Sequence, residues 1–447
     1  MNDYKDIVAE KYSSEEMRNL FSEQNIVRTW RLCWIALAEA EAELGLKEIT
    51  KEMIDELKKN IDNIDLAGAK EKEKETQHDV AAQIHAYGKV CPKAKGIIHL
   101  GATSQYVKCN TDLILQREAL SILRKKLVLL LEIFAKQILK YKDVPTLSYT
   151  HYQSAQPTTI GRRLCNYAQD LLTDLEDLDR VHVSIKSRGA KGTTGTQATF
   201  LTLFNNDHKK VKKLDTLIAK KLGFSESYSL TTQTYSRKED IKIHSVLAGI
   251  AASAKRFATD LRLLSNLKIM EEPFGKKQVG SSAMPYKQNP MHSERISSLS
   301  RKVMNNLKDF YDTYAEQWLE RSLDDSAIRR IDIPENFMLT EHIIDLLTKI
   351  MKDLVVNEHV SRKMLENELP FLASEEIILS AVKKGKDRQI VHEAIKEHSI
   401  AVTKRIKLEG GENDLLERIS QDKRIGLTKE ELKKLLDSNK FIGRSRE

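Results

Sequence analysis

Lys287 and Asn289 lie two residues apart in the stretch GSSAMPYKQNP, Gly280 to Pro290, as a cation and an amide spaced to clamp a carboxylate. Glycine, serine and proline together ordinarily mark a flexible surface loop. Met284, Pro285 and Tyr286 add apolar anchors that can dock this one over a pocket, which favours an active-site lid. Two further places offer proton transfer near neutral pH. His151 stands among hydroxyls and amides in SYTHYQSAQPTT, and His78 is followed directly by Asp79 in HDVAA. A lone histidine is more often structural, but these two lie in or beside the few polar segments of the chain. Such a set suits an active site that holds a carboxylate beside groups able to move a proton.

Other motifs fall away. Gly275 and Gly280 imitate the spacing of a phosphate-cradling loop, yet Ser281 stands where its lysine belongs, and no strand is expected before it. His78 and His85 are seven residues apart, roughly one helical face, but no third ligand follows at metal spacing, so no metal is expected. Cys33, Cys91, Cys109 and Cys165 show no CxxC pair, which fits a reducing, cytoplasmic setting.

The elements that position these groups read as helices. Ile243, Leu247, Ile250, Ala254, Phe257, Leu261 and Leu264 follow one another at steps of three and four, a single apolar stripe. Leu120, Leu123, Leu127, Leu130, Phe134 and Ile138 repeat the pattern, as do Ile296, Leu299, Val303, Leu307, Phe310 and Tyr314. Stripes of this length pack as bundles, and copies of the chain can complete them. With 18 Gly and 8 Pro in 447 residues, breakers are scarce, and no block alternates with period two. The fold class expected is all-α. Irregular structure is expected over His99–Asp112, Ser148–Thr159, Arg188–Phe200 and the Gly280 loop.

The length points to two or three domains. No apolar run reaches membrane-spanning length, and the N-terminus lacks a signal-peptide core, so no membrane association is expected. The net charge of +8 comes from basic residues interleaved with acidic ones, as in AKEKEKETQHD, which marks solvated helix faces. It suits small polyanionic substrates. The absence of an aromatic-basic patch argues against nucleic acid as a partner.

GSSAMPYKQNP resembles the signature loop of the fumarase/aspartase superfamily. The likeness continues in order through EKYSSEEM, RTWRLCWIALAEAE, HDVAA, IIHLGATS, THYQSAQPTT, RGAKGTTGTQA, QTYSRKEDI, ERSLDDSAIRR and FIGRS, and is closest to the purine-pathway branch. It implies a three-domain all-α fold with a long central bundle, completed by homotetramerisation and with active sites shared between subunits. The segments expected are 1–103, bearing His78; 104–356, bearing His151 and the loop 275–291; and 357–447. The implied activity is β-elimination of fumarate from two succinylated purine-pathway nucleotides, with neither metal nor redox cofactor.

By the same resemblance Ser281 is the general base, its ionised form favoured by loop amides and Lys287. Lys287 and Asn289 would hold the carboxylate that gathers charge. His151 would protonate the departing nitrogen, with Glu272 or another carboxylate orienting it, and His78 would act near the succinyl group. Arg295, Arg321, Ser326 and Arg330 match positions around the phosphate and carboxylates. Thr103, Ser104, Thr150 and Gln233 match positions near the succinyl group, Tyr12 one near the phosphate, and Asp79 one beside the substrate. Two positions depart from the pattern: Lys11 stands where relatives carry arginine, and Gln77 precedes His78 where animal-type relatives carry arginine. A less positive field around His78 is therefore expected. The rival readings are another fumarate-releasing lyase, argininosuccinate lyase-like, and a non-catalytic helical scaffold.

Overall fold

The structure is a computed structural model that describes residues 5–275 and 277–447; Lys276, inside the predicted loop segment, lies outside the described residues. Helices dominate. The longest are Ser104–Tyr141, Ile160–Ser184, Lys238–Asn266, Met291–Ala315 and Asp325–Lys352. All seven members of the Ile243–Leu264 stripe are buried, and so are Leu120, Leu123, Leu127, Leu130 and Phe134 of the second. Each Leu, Ile or Phe among them contributes roughly 1.5–3 kcal/mol by leaving water. The third stripe buries Ile296, Val303 and Phe310 but runs out at Tyr314, which is exposed. Helix starts follow local chemistry: the side chains of Ser14, Ser22, Thr50 and Asp207 each accept a backbone N–H of the turn they open.

The chain forms two compact units. One comprises residues up to Leu129, Leu171–Lys255 and Arg295–Leu347; the other comprises Leu130–Asp170, Arg256–Glu294 and Thr348–Glu447. The second contains the C-terminal helices, whose core includes Ile377, Val391, Ile395, Leu415, Ile419 and Leu432.

Two of the segments read as irregular are partly regular. Ser148–Thr159 falls within an antiparallel hairpin, Pro145–Thr150 against Gln153–Thr159. Its strands are short and rich in Thr, Ser and Gln, and its two-residue turn lacks the Asn-Gly signal that makes hairpins legible. The helix beginning at Ser104 takes up the second half of His99–Asp112. Arg188–Phe200 is irregular as far as Gln197, with Gly189, Gly192 and Gly195 at positive φ. A two-residue strand, Met270–Glu271, does precede Gly275, contrary to expectation, paired with Val355–Val356. Among the described residues no helix follows until Met291, so the phosphate-loop geometry is still not formed.

Candidate functional site

In the first unit the chain stops one helix and starts another around His78. Gln77 adopts the left-handed conformation that ends helix Leu66–Thr76, and its side-chain amide turns back to the Lys74 carbonyl at 2.8 Å. His78, in extended conformation, caps helix Asp79–Val90 by accepting the Ala81 N–H on Nδ1 at 3.2 Å. With Nδ1 an acceptor, the neutral ring carries its proton on Nε2, which stands 3.3 Å from Ser104 Oγ. Asp79 Oδ2 meets Lys108 Nζ at 2.8 Å and Arg330 Nη2 at 3.1 Å. Burial pushes the Asp79 carboxyl up, but the Lys108 bond and both cations outweigh it and hold the group below the usual range. Nearby His99 accepts the Trp34 indole N–H at 2.8 Å. Burial, with His78 as a lesser influence, pushes it down to about 4, so it stays neutral.

A cavity of about 470 Å³ opens beside this cluster, lined by Asp79, Arg321, Ser326 and Arg330 among the predicted residues. Lys108, Asp112, Arg237, Asp325 and Arg329 also line it and were missed. All but Lys108 belong to a largely buried network. Arg237 reaches Asp325 Oδ2 through Nε and Nη2, each at 2.6 Å, and Arg321 donates to Oδ1 at 2.5 Å. Arg329 pairs with Asp240 at 2.8 Å and Asp112 at 2.9 Å, and Tyr235 donates to Asp240 at 2.7 Å. Burial pushes Asp240 and Asp325 up, yet their arginine partners hold both below the ordinary range. For Asp112, burial wins and the carboxyl is raised. The signal was available: QTYSRKEDI carries Arg237 and Asp240, and ERSLDDSAIRR carries Asp325 and Arg329, with Arg321 four residues before Asp325.

The other predicted residues of this unit stand apart from the cavity lining. Tyr12 follows helix Ile7–Lys11, with exposed Lys11 at its end; its ring faces His342 at 5.0 Å, and the Arg295 guanidinium lies 6.0 Å from it. Ser14, two residues on, gives its N–H and hydroxyl to buried Glu341 at 3.0 and 2.7 Å, which fixes the segment. Thr103 opens the long helix, its carbonyl accepting Tyr106 N–H. Gln233 is held by its backbone, between the Glu320 carbonyl and the Arg188 guanidinium.

The second unit carries the remaining predicted residues. His151 and Tyr152 are the two turn residues of the hairpin, both left-handed (φ 52° and 57°), so His151 projects at an exposed tip flanked by Thr150 and Gln153. In the Gly280 loop, Ser281 Oγ accepts the Met284 N–H at 3.1 Å, and Asn289 Nδ2 donates to the Gly280 carbonyl at 2.7 Å. A Cβ on Gly280 would lie 2.1 Å from the Lys287 carbonyl oxygen. Lys287 is exposed, as are Met284 and Tyr286, the predicted anchors. Glu272 does not orient His151 in this unit. Its two oxygens accept the N–H groups of His292 and Ser293, at 3.1 and 2.5 Å, where the Met291–Ala315 helix begins.

Among the described residues no helix is long and apolar enough to cross a membrane. The family described as Lyase matches residues 4–305, and the one described as Adenylosuccinate lyase C-terminus matches 370–447. The adenylosuccinate lyase of Saccharomyces cerevisiae is 46% identical over 446 residues, 99% of this chain and 92% of that one. That of Schizosaccharomyces pombe is 46% identical over 98% of this chain and 91% of its own. The crystal structure of 3-carboxy-cis,cis-muconate lactonizing enzyme from Pseudomonas putida superposes with a TM-score of 0.85 over 99% and 97% of the two chains, at 22% identity, a likeness of fold. Clustered polar groups on a helical frame, and similarity along nearly the whole length, place this chain in the adenylosuccinate lyase family of the fumarase/aspartase superfamily.

Proposed function

We propose that this protein removes fumarate by β-elimination from adenylosuccinate, giving AMP, and from succinylaminoimidazole carboxamide ribotide, giving the aminoimidazole carboxamide ribotide. Both are carbon–nitrogen bond cleavages. Ser281, as the alkoxide, takes the proton from the succinyl carbon next to a carboxylate. The electron pair left on that carbon delocalises into the carboxylate, held by Lys287 and Asn289. It then returns to form the carbon–carbon double bond while the bond to the amino nitrogen breaks. His151 gives that nitrogen its proton, and fumarate and the amine leave. A carbon acid of this kind is very weak, so charge stabilisation as the dianion forms is the main demand. The Met284 N–H on Ser281 Oγ favours the ionised oxygen, and the positive charge of Lys287 adds to it.

In the first unit, His78, with Nε2 as donor, binds beside the succinyl group, while Arg321, Ser326 and Arg330 receive the anionic ends of the substrate; Thr103, Ser104, Gln233, Tyr12 and Arg295 complete the contacts, and Thr150 flanks His151. Lys11 contributes charge without a guanidinium fork. The groups are brought together in a homotetramer with shared sites, acting in the cytoplasm.

The observation that carries this reading is similarity to adenylosuccinate lyases over 99% of the chain, with Ser281, Lys287 and Asn289 together on one loop. Purified protein incubated with adenylosuccinate should release AMP and fumarate in equal amounts. Failure to do so, or fumarate release from argininosuccinate instead, overturns the assignment.

A further inference from the structure

We infer that Lys108 is a positioning residue that keeps His78 in its working tautomer by holding Asp79 away from it. This rests on the proposed lyase reaction with His78 in the site. Ser104 and Lys108 are one turn apart on the same long helix, and they meet consecutive residues of the neighbouring helix start: Ser104 meets His78, and Lys108 meets Asp79. The contact is therefore a two-point clamp. Asp79 Oδ1 stands 3.8 Å from His78 Nδ1, close enough that a modest rotation would make a direct ion pair. That pair would place a proton on Nδ1, displace the Ala81 N–H from it, and change what Nε2 offers to the site. Two bonds prevent this. Val80 N–H occupies Oδ1 at 2.8 Å, and Lys108 Nζ draws Oδ2 to the other side.

Arg330 also reaches Oδ2, but its side chain is 64% exposed against 20% for Lys108, and in the proposed reaction Arg330 turns to the substrate anion. Lys108 is then the cation that stays. It also supplies the positive charge near His78 that Gln77 does not, since the Gln77 amide is turned back onto its own helix.

The experiment is a double-mutant cycle on the full-length enzyme, with adenylosuccinate as substrate and kcat and KM read separately. A misdirected hydrogen-bond donor forfeits part of a contribution of about 100-fold or more, so Lys108→Met should lower kcat about tenfold. Lys108→Arg should recover it to within about threefold. In an Asp79→Asn background, which has no carboxylate to release, Lys108→Met should have little further effect. Equal losses from Lys108→Met with and without the Asp79→Asn change, or a loss in melting temperature with unchanged kcat, would overturn the inference. A wild-type enzyme inactive on adenylosuccinate would overturn the reaction itself, and this role with it.

Discussion

The unit bearing His78 and the unit bearing His151 and Ser281 hold their polar groups in opposite ways. In the first, Arg237 and Asp325 are 1% and 0% exposed and tied by bonds of 2.6 Å, and Asp79 is shared by two cations. In the second, His151 sits on an exposed two-residue turn, and Ser281 belongs to a loop whose side chains are largely in solvent. A charge that only binds can be fixed permanently, because its protonation state never changes. A group that must take up and release a proton needs access and surroundings that can adjust. Under the proposed reaction, the arginine–aspartate network on the binding side is built like a core, and the groups that move protons lie at a rim.

The sharpest way to break this contrast is to remove one group from each side. Ser281→Ala should lower kcat about 1,000-fold, the middle of the range for a lost acid–base group, while melting temperature moves by no more than a degree or two. A large fall in melting temperature would mean the loop is structural. Asp325→Ala should do the reverse. It leaves Arg237 and Arg321 without their shared carboxylate, and breaking a buried pair from one side costs about 3–5 kcal/mol. A fall of several degrees in melting temperature, or loss of soluble protein, is expected. An unchanged unfolding curve would show that the network is not needed for folding.

The helical frame was legible because burial follows spacing. The Ile243–Leu264 stripe is buried at every predicted position. The hairpin was not, because Thr150-His151-Tyr152-Gln153 contains none of the residues that signal a tight turn, and its left-handed pair is imposed by the strands it joins. Among candidate residues, His78, Asp79, Arg321, Ser326 and Arg330 could be found as motif positions. Lys108 could not, since the role inferred for it comes from lying one turn beyond Ser104 against a helix start some thirty residues earlier in the chain.

Glu41 sharpens the comparison through pH. It is fully buried, and neither carboxyl oxygen has a hydrogen-bond partner; burial alone pushes it up to about 9 from an ordinary 4.5. Below pH 4.5 it is protonated whether the chain is folded or not, and costs nothing extra. As pH rises toward 9 the unfolded chain loses this proton while the folded one keeps it, so stability falls, by up to about 1.4 kcal/mol per pH unit. Glu41→Gln should flatten that decline between pH 6 and 8 in unfolding experiments. An unchanged slope would show that Glu41 is ionised in the folded protein.

The smallest effect tests the rim alone. Gly280 is required for space: its φ is not in the left-handed region, but a Cβ there would sit 2.1 Å from the Lys287 carbonyl oxygen and 3.1 Å from the Phe274 ring. Gly280→Ala must push the Lys287 backbone outward and strain the Asn289 bond to the Gly280 carbonyl, separating the proposed base from the two groups that hold the carboxylate. A displacement of about 1 Å in reacting groups can cost up to about 100-fold, and an adjustable loop should recover part of it, so a fall in kcat of about tenfold is expected. Melting temperature should hold, since the loop's side chains are largely exposed. If Gly280→Ala instead lowers melting temperature as Asp325→Ala does, the loop is packed as tightly as the buried network and the contrast between the two halves fails.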